Sequence, residues 1–191
     1  GSTSAPAFSF NSDPNTGISG GSDTLTFSTG GTGRMSISSA GLVNIVGDLT
    51  VGGTTTTINT TTLDVEDKNI TLGKEAGTDI TSGSYNILFG RNVARGLTTG
   101  CKNIAMGTGS LGGDLATTVT GAANIMIGEQ TAVAATSACC NVIIGHNAGG
   151  CVSEGDENVF LGRYAGKSTT TGSKNIMIGS GVCASSSSGN V

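Results

Sequence analysis

From residue 69 onward the largely apolar residues come in runs of three, each preceded by Asn and followed by Gly. Seven such copies begin at Asn69, Asn86, Asn103, Asn124, Asn141, Asn158 and Asn175 and end on Gly73, Gly90, Gly107, Gly128, Gly145, Gly162 and Gly179. The asparagines are 17 residues apart, except for one step of 21 between Asn103 and Asn124. Runs this short, without recurrence at i, i+3 and i+4, predict strands rather than amphipathic helices. A fixed period of this size means one structural unit stacked on itself, so the pattern predicts a solenoid.

Numbering each copy from its Asn, position 2 is Ile or Val throughout and position 4 is Leu, Phe, Met or Ile. Side chains alternate across a strand, so these two share a face and position 3 lies on the other. The sequence is read here with position 3 facing outward. Position 3 is nonetheless apolar at Leu88, Met126, Ile143, Phe160 and Met177, and a strand apolar on both faces is buried on both. A narrow coil has nothing of its own to cover the second face, so the expected cover is another copy of the chain. The expected core or trimer-interface residues are therefore Ile87, Leu88, Phe89, Ile125, Met126, Ile127, Ile143, Ile144, Phe160, Ile176 and Met177.

The position-5 glycines are expected at corners, where Gly takes positive φ without penalty. A second Gly three residues before the Asn, at Gly83, Gly100, Gly121, Gly155 and Gly172, suggests the opposite corner. The asparagines admit two readings: a ladder of side-chain amides bonded from coil to coil, or a left-handed turn residue in each coil. The longer step puts four extra residues within Ser110 to Thr117, where a loop can emerge without disturbing the stack.

Residues 1–68 carry short alternating runs between turn signals, such as Phe8-Ser9-Phe10, Leu25-Thr26-Phe27 and Met35-Ser36-Ile37, and these predict many short strands. None brings enough apolar surface for an independent core, which points to intertwined chains. The expected fold is all-β and fibrous: a short-strand intertwined region over 1–68 and a seven-copy β-helix or β-roll solenoid over 69–191, assembled as a homotrimer.

Composition narrows the function. The 191 residues include 33 Gly, 2 Pro, 5 Phe, 2 Tyr and no Trp, so turns are frequent and bulky core side chains scarce. A net charge of -4 with only 9 scattered Lys and Arg argues against nucleic acid. No apolar run approaches the ~18 residues of a membrane span, and the opening Gly-Ser-Thr-Ser reads as a cloning scar or flexible end rather than a signal peptide.

Candidate chemistry is sparse, and no catalytic, cofactor-binding or metal residue is expected. The single His146 occupies position 6, where other copies carry Lys74, Arg91, Thr108, Glu129, Arg163 and Ser180, and reads as a solvated residue. The carboxylates of Asp64-Glu66-Asp67 and Glu154-Asp156-Glu157 could pair for glycoside hydrolysis or hold calcium, but aromatic sugar platforms and the order of an EF-hand are both missing. Cys101, Cys139, Cys140, Cys151 and Cys183 lack zinc-finger spacing and read as free thiols. Rows such as Thr54–Thr57 and Thr169–Thr171 raise an ice-binding solenoid, though the threonines sit at corners rather than once per coil in a strand.

Several stretches carry a resemblance. Asp13-Pro14-Asn15-Thr16-Gly17-Ile18, Asp23 to Met35, Ser38 to Gly41, Leu49 to Asn59, Asp67 to Gly73 and the units at Asn141–Gly149 and Asn158–Gly166 are together similar to bacteriophage tail fibres, especially those of marine phages and cyanophages. The resemblance covers most of the chain and implies a homotrimeric β-fibre of the virion that supports attachment to a host-surface glycan or protein receptor, alongside other tail proteins and without membrane insertion. Tyr85 and Tyr164 are the aromatic candidates for glycan contact. The repeat also resembles heads of trimeric autotransporter adhesins, the alternative reading; a polysaccharide-degrading tailspike ranks below both. Many such fibres end in a self-cleaving chaperone, and no such domain is read in this sequence.

Overall fold

The computed structural model describes residues 1–52, 69–112 and 118–183. Within these residues the chain is all-β, with no helix. It divides into two compact units, Gly1–Thr62 and Leu63–Val191. The rows Thr54–Thr57, the carboxylates Asp64, Glu66 and Asp67, and the tip of the insertion at 113–117 lie outside the described residues.

The first unit is an antiparallel meander of β1 (Phe8–Phe10), β2 (Asp13–Gly21), β3 (Thr24–Thr29), β4 (Thr32–Ile37) and β5 (Val43–Ile45), hydrogen-bonded in chain order. Gly30 and Gly31, read from the sequence as a turn, form a hairpin with φ of 56° and 76°. The other signal, Asn11 to Gly17, lies largely within β2, and the turn after β2 falls instead on Ser22 and Asp23, with left-handed φ of 47° and 59°. No side chain of its five strands other than Ser19 and Ser28 is buried.

The second unit is a parallel β-solenoid of about six turns with roughly 17-residue repeats. Strands β6 (Asn69–Leu72), β7 (Asn86–Phe89), β8 (Ile104–Met106), β9 (Ile125–Ile127), β10 (Val142–Ile144), β11 (Val159–Leu161) and β12 (Ile176–Ile178) form one sheet in chain order. Pairing is in register throughout: Ile104 faces Ile125 across the long step as Ile87 faces Ile104 across an ordinary one. The four extra residues therefore leave the strand register intact.

The inward and outward faces are the reverse of the expected ones. Position 3 is inside: Leu88, Ala105, Met126, Ile143 and Phe160 are fully buried and Met177 nearly so, whereas Ile144 and Ile176 are exposed. Ile87, Phe89, Ile125 and Ile127, expected on the face opposite an outward position 3, are half-buried on the outer side. The reason is room. The inside of a 17-residue coil takes one strand side chain, closed by Ala94, Leu97, Ala132, Val152 and their equivalents from the return path.

That interior is filled by volume exchange within each coil. Position 9 is Gly149 where position 3 is Ile143, and a Cβ there would sit 2.9 Å from Ile143 Cδ1. It is Gly166 where position 3 is Phe160, and a Cβ would lie 2.5 Å from the ring's Cε2. Where position 3 shrinks to Ala105, position 9 becomes the fully buried Leu111.

The asparagines form a ladder. Asn86 Oδ1 accepts from the backbone N–H of Asn103 at 2.9 Å and from its side-chain amide at 3.1 Å, while Asn86 Nδ2 donates to Asn69 Oδ1 at 2.8 Å and to the Gly100 carbonyl at 3.1 Å. The same set recurs through Asn124, Asn141 and Asn158 up to Asn175. From Asn86 onward these asparagines are essentially excluded from solvent yet paired, as burial of an amide requires. The left-handed conformation falls instead on the residue before each Asn: Tyr85, Lys102, Ala123, Cys140, Glu157 and Lys174 have φ between 58° and 62°.

The corner glycines have φ from 124° to 138°, a region other residues rarely enter. Their close approach to the next coil is equally demanding: a Cβ on Gly128 would lie 2.6 Å from the Gly145 carbonyl oxygen.

Two predictions follow from this packing. Asn124→Ala removes both rungs that Asn124 shares with Asn103 and Asn141 and orphans the Asn141 backbone N–H, so it lowers unfolding free energy by about 2–4 kcal/mol; urea denaturation measures it. Ala105→Leu overfills the coil against Leu111 and costs about 1–3 kcal/mol. Adding Leu111→Ala to that variant recovers most of the loss, which a double-mutant cycle in the same assay reads directly.

Candidate functional site: the outer face of the coil stack

Because position 3 turns inward, positions 2 and 4 are presented outward in two parallel columns. One runs Ile70, Ile87, Ile104, Ile125, Val142, Val159, Ile176 and the other Leu72, Phe89, Met106, Ile127, Ile144, Leu161, Ile178. Stacked at ~4.8 Å per strand, they cover roughly 29 Å along the axis. No position in either column carries a charge or a polar side chain. Neighbours one coil apart shield each other's flanks, so most are half-buried, but Leu72 is 61% and Ile178 65% exposed. A flat apolar surface of this regularity exceeds the scattered exposed residues of ordinary monomers.

The remaining candidate residues are dispersed, and most are committed to the stack. Asp156 Oδ1 accepts from the Cys139 backbone N–H at 2.7 Å, and the Asp156 N–H donates to Ser173 Oγ at 2.9 Å. The carboxylate thus stitches coils, while Glu154 and Glu157 point to solvent. Three threonines at the far corner are similarly engaged: Thr81, Thr98 and Thr136 each donate their hydroxyl to the carbonyl one coil on, at 3.2, 3.3 and 2.9 Å, whereas the Thr169 hydroxyl is buried without a hydrogen-bond partner.

His146 differs from the expected solvated residue. It is half-buried, its ring meets Tyr164 edge-on at 5.5 Å, and Nδ1 is buried without a hydrogen-bond partner. Tyr164 also carries the Arg163 guanidinium at 4.3 Å and the Lys167 ammonium at 4.8 Å from its ring centre, and its hydroxyl accepts from Arg163 at 3.1 Å. The ring is thus taken up by cations of its own chain. Tyr85 is 69% exposed. Among the described residues no group of three His, Cys, Asp or Glu gathers for a metal ion, and no helix is long and apolar enough to cross a membrane.

All five cysteines are free thiols. Their environments differ in a way spacing does not reveal. Hydrogen bonds from Ser84, backbone first and then hydroxyl, hold the Cys101 thiol below the usual range. Burial, with the neighbouring Cys140 thiol and the Asp156 carboxylate, pushes Cys139 up to about 12.

Comparison with protein-family models, with curated proteins and with solved structures finds no match. The outer apolar face is therefore the feature from which function is argued. Where reasoning from the sequence missed, the available signal was the Asn: positions 1, 3 and 5 share a face, so a buried Asn ladder already places position 3 inside.

Thiolate is the nucleophile in alkylation, so at pH 8 iodoacetamide modifies Cys101 at least tenfold faster than Cys139. Peptide mapping by mass spectrometry after timed quenching checks it; equal rates would contradict the contrast between the Ser84-bonded Cys101 and the buried Cys139.

Proposed function

We propose that the chain is a non-enzymatic shaft segment of a homotrimeric surface fibre and, following its sequence resemblance, of a viral tail fibre that holds a receptor-binding tip away from the virion. The observation that carries this reading is the uncharged double column of positions 2 and 4. Three solenoids meeting along those columns exclude water from a continuous apolar seam parallel to the fibre axis. Obligate interfaces of this kind are more apolar than transient ones.

Rigidity has a separate source. The strand ladders, the Asn ladder and the backbone bonds at the turns all run coil to coil, parallel to the same axis. Bending the rod stretches many bonds at once. Such a segment needs no pocket of its own; in this reading receptor recognition, whether of glycan or protein, belongs to the tip, and other tail proteins hold the opposite end.

Light scattering after size exclusion tests the proposal. The expected result is a species of three 18.7 kDa chains that elutes early for its mass. Ile127→Glu with Ile144→Glu places charges in the seam and raises the concentration at which the trimer dissociates at least tenfold, with unchanged far-ultraviolet circular dichroism. A wild-type monomer would end the fibre reading, and a double variant that dissociates at the wild-type concentration would remove these columns from the interface.

A further inference from the structure

The meander of the first unit carries a second apolar surface, independent of the solenoid's. Its register places Phe8, Ile18, Phe27, Met35 and Ile45 opposite one another in a single row across all five strands. Leu25, Ile37 and Val43 form the adjacent row on the same face. The intervening positions, including Ser9, Ser19, Thr26, Ser36 and Asn44, occupy the other face. The sheet is therefore divided cleanly into an apolar and a polar side.

The chain start does not cover the apolar side. A Cβ at Gly33 would lie 3.2 Å from the methyl of Thr26 and 3.6 Å from that of Thr3, so the opening segment lies over the polar face. On the apolar face Phe8 is 75%, Phe10 65%, Val43 50%, Leu25 41% and Ile45 38% exposed. These five alone leave on the order of 500 Å² in water, taking ~200 Å² for a phenylalanine and somewhat less for an aliphatic side chain. With the half-buried Ile18, Phe27, Met35 and Ile37 the face approaches the roughly 800 Å² per partner of a stable interface. An open groove of about 380 Å³ between Phe8, Phe10, Ile18 and Phe27 would accept a side chain from a facing sheet.

We propose that this face packs against the same face of further copies of the chain, making the meander a self-association module in its own right. Three features select a copy over a foreign partner. A small sheet with no apolar side chain buried within it needs cover in order to fold, and its own copies are present in equal number whenever the chain is made. The two rows themselves carry no charge to steer or discriminate a foreign partner; Asp13, paired with Phe10, and Arg34, bonded to Thr29, stand at their margin. Sheets pack face to face at ~10 Å, and an equilateral prism of sheets about 19 Å wide, four gaps of ~4.8 Å, places each sheet ~5.5 Å from the axis, which one layer of side chains fills. The threefold arrangement rests on the proposed trimer; the self-association of this face does not.

The chain contains no Trp, so Phe8→Trp installs a single fluorescent reporter at a position 75% exposed in one chain, where substitution disturbs little of the fold. The full-length variant is measured by emission wavelength and light scattering on the same sample. The expected result is a trimer with emission blue-shifted by at least 10 nm from free tryptophan, reverting to the solvent value when dilution yields monomer. A trimer with solvent-like emission would overturn this inference and leave the solenoid seam standing. A monomer with solvent-like emission would overturn both. A monomer with blue-shifted emission would overturn the copy as occupant, since the face is then covered within one chain.

Discussion

A 17-residue coil encloses too few side chains to hold itself closed by burial, so the constraint on which everything else depends is hydrogen-bond closure from coil to coil. The Asn ladder is its central expression. Each interior amide accepts two bonds and donates at least two, and each rung supplies the backbone N–H of the next Asn with the acceptor it would otherwise lack. The turns obey the same demand. At position 7 the N–H reaches the preceding coil, as from Gln130 to Thr108, and at position 9 it reaches the following one, as from Ala132 to Ala148. Both positions are left-handed, with φ of 53° at Gln130 and 49° at Ala132. A non-glycine residue there costs roughly 1–2 kcal/mol, which the satisfied backbone groups offset because an orphaned buried donor costs as much or more.

Closure also fixes what the interior can contain. With Asn at position 1 and Gly at position 5 both facing inward, position 3 is the one strand side chain left to fill the coil. Its volume is then traded against position 9, as between Phe160 with Gly166 and Ala105 with Leu111. Two residues per coil remain on the outside, and because they are Ile, Val, Leu, Phe or Met in every copy, the outer face is apolar. The apolar outer face is thus a geometric by-product of the ladder.

The two units reach an uncovered apolar face by different routes. In the solenoid the core is complete within one chain, and the outer columns are surplus. In the meander nothing apolar is buried in the strands, so its apolar rows stay in water within one chain.

The sequence alone determined the period, the all-β class, the strands of the repeats and the position-5 corners, because these rest on local rules: short runs favour strands, and only Gly tolerates φ near 130° in close contact with a neighbouring carbonyl. It missed β2, whose Pro, Asn and Gly read as a turn. It left the asparagines open between ladder and turn, and it assigned the two strand faces the wrong way round. Those were decided only by the tertiary structure, since inside and outside depend on where the return path closes. That path is set by left-handed residues at positions 7, 9 and 17, which are Gln130, Ala132 and Cys140 in one coil and Tyr164, Gly166 and Lys174 in another. No shared residue type marks them; what they share is a backbone direction imposed by the coils above and below.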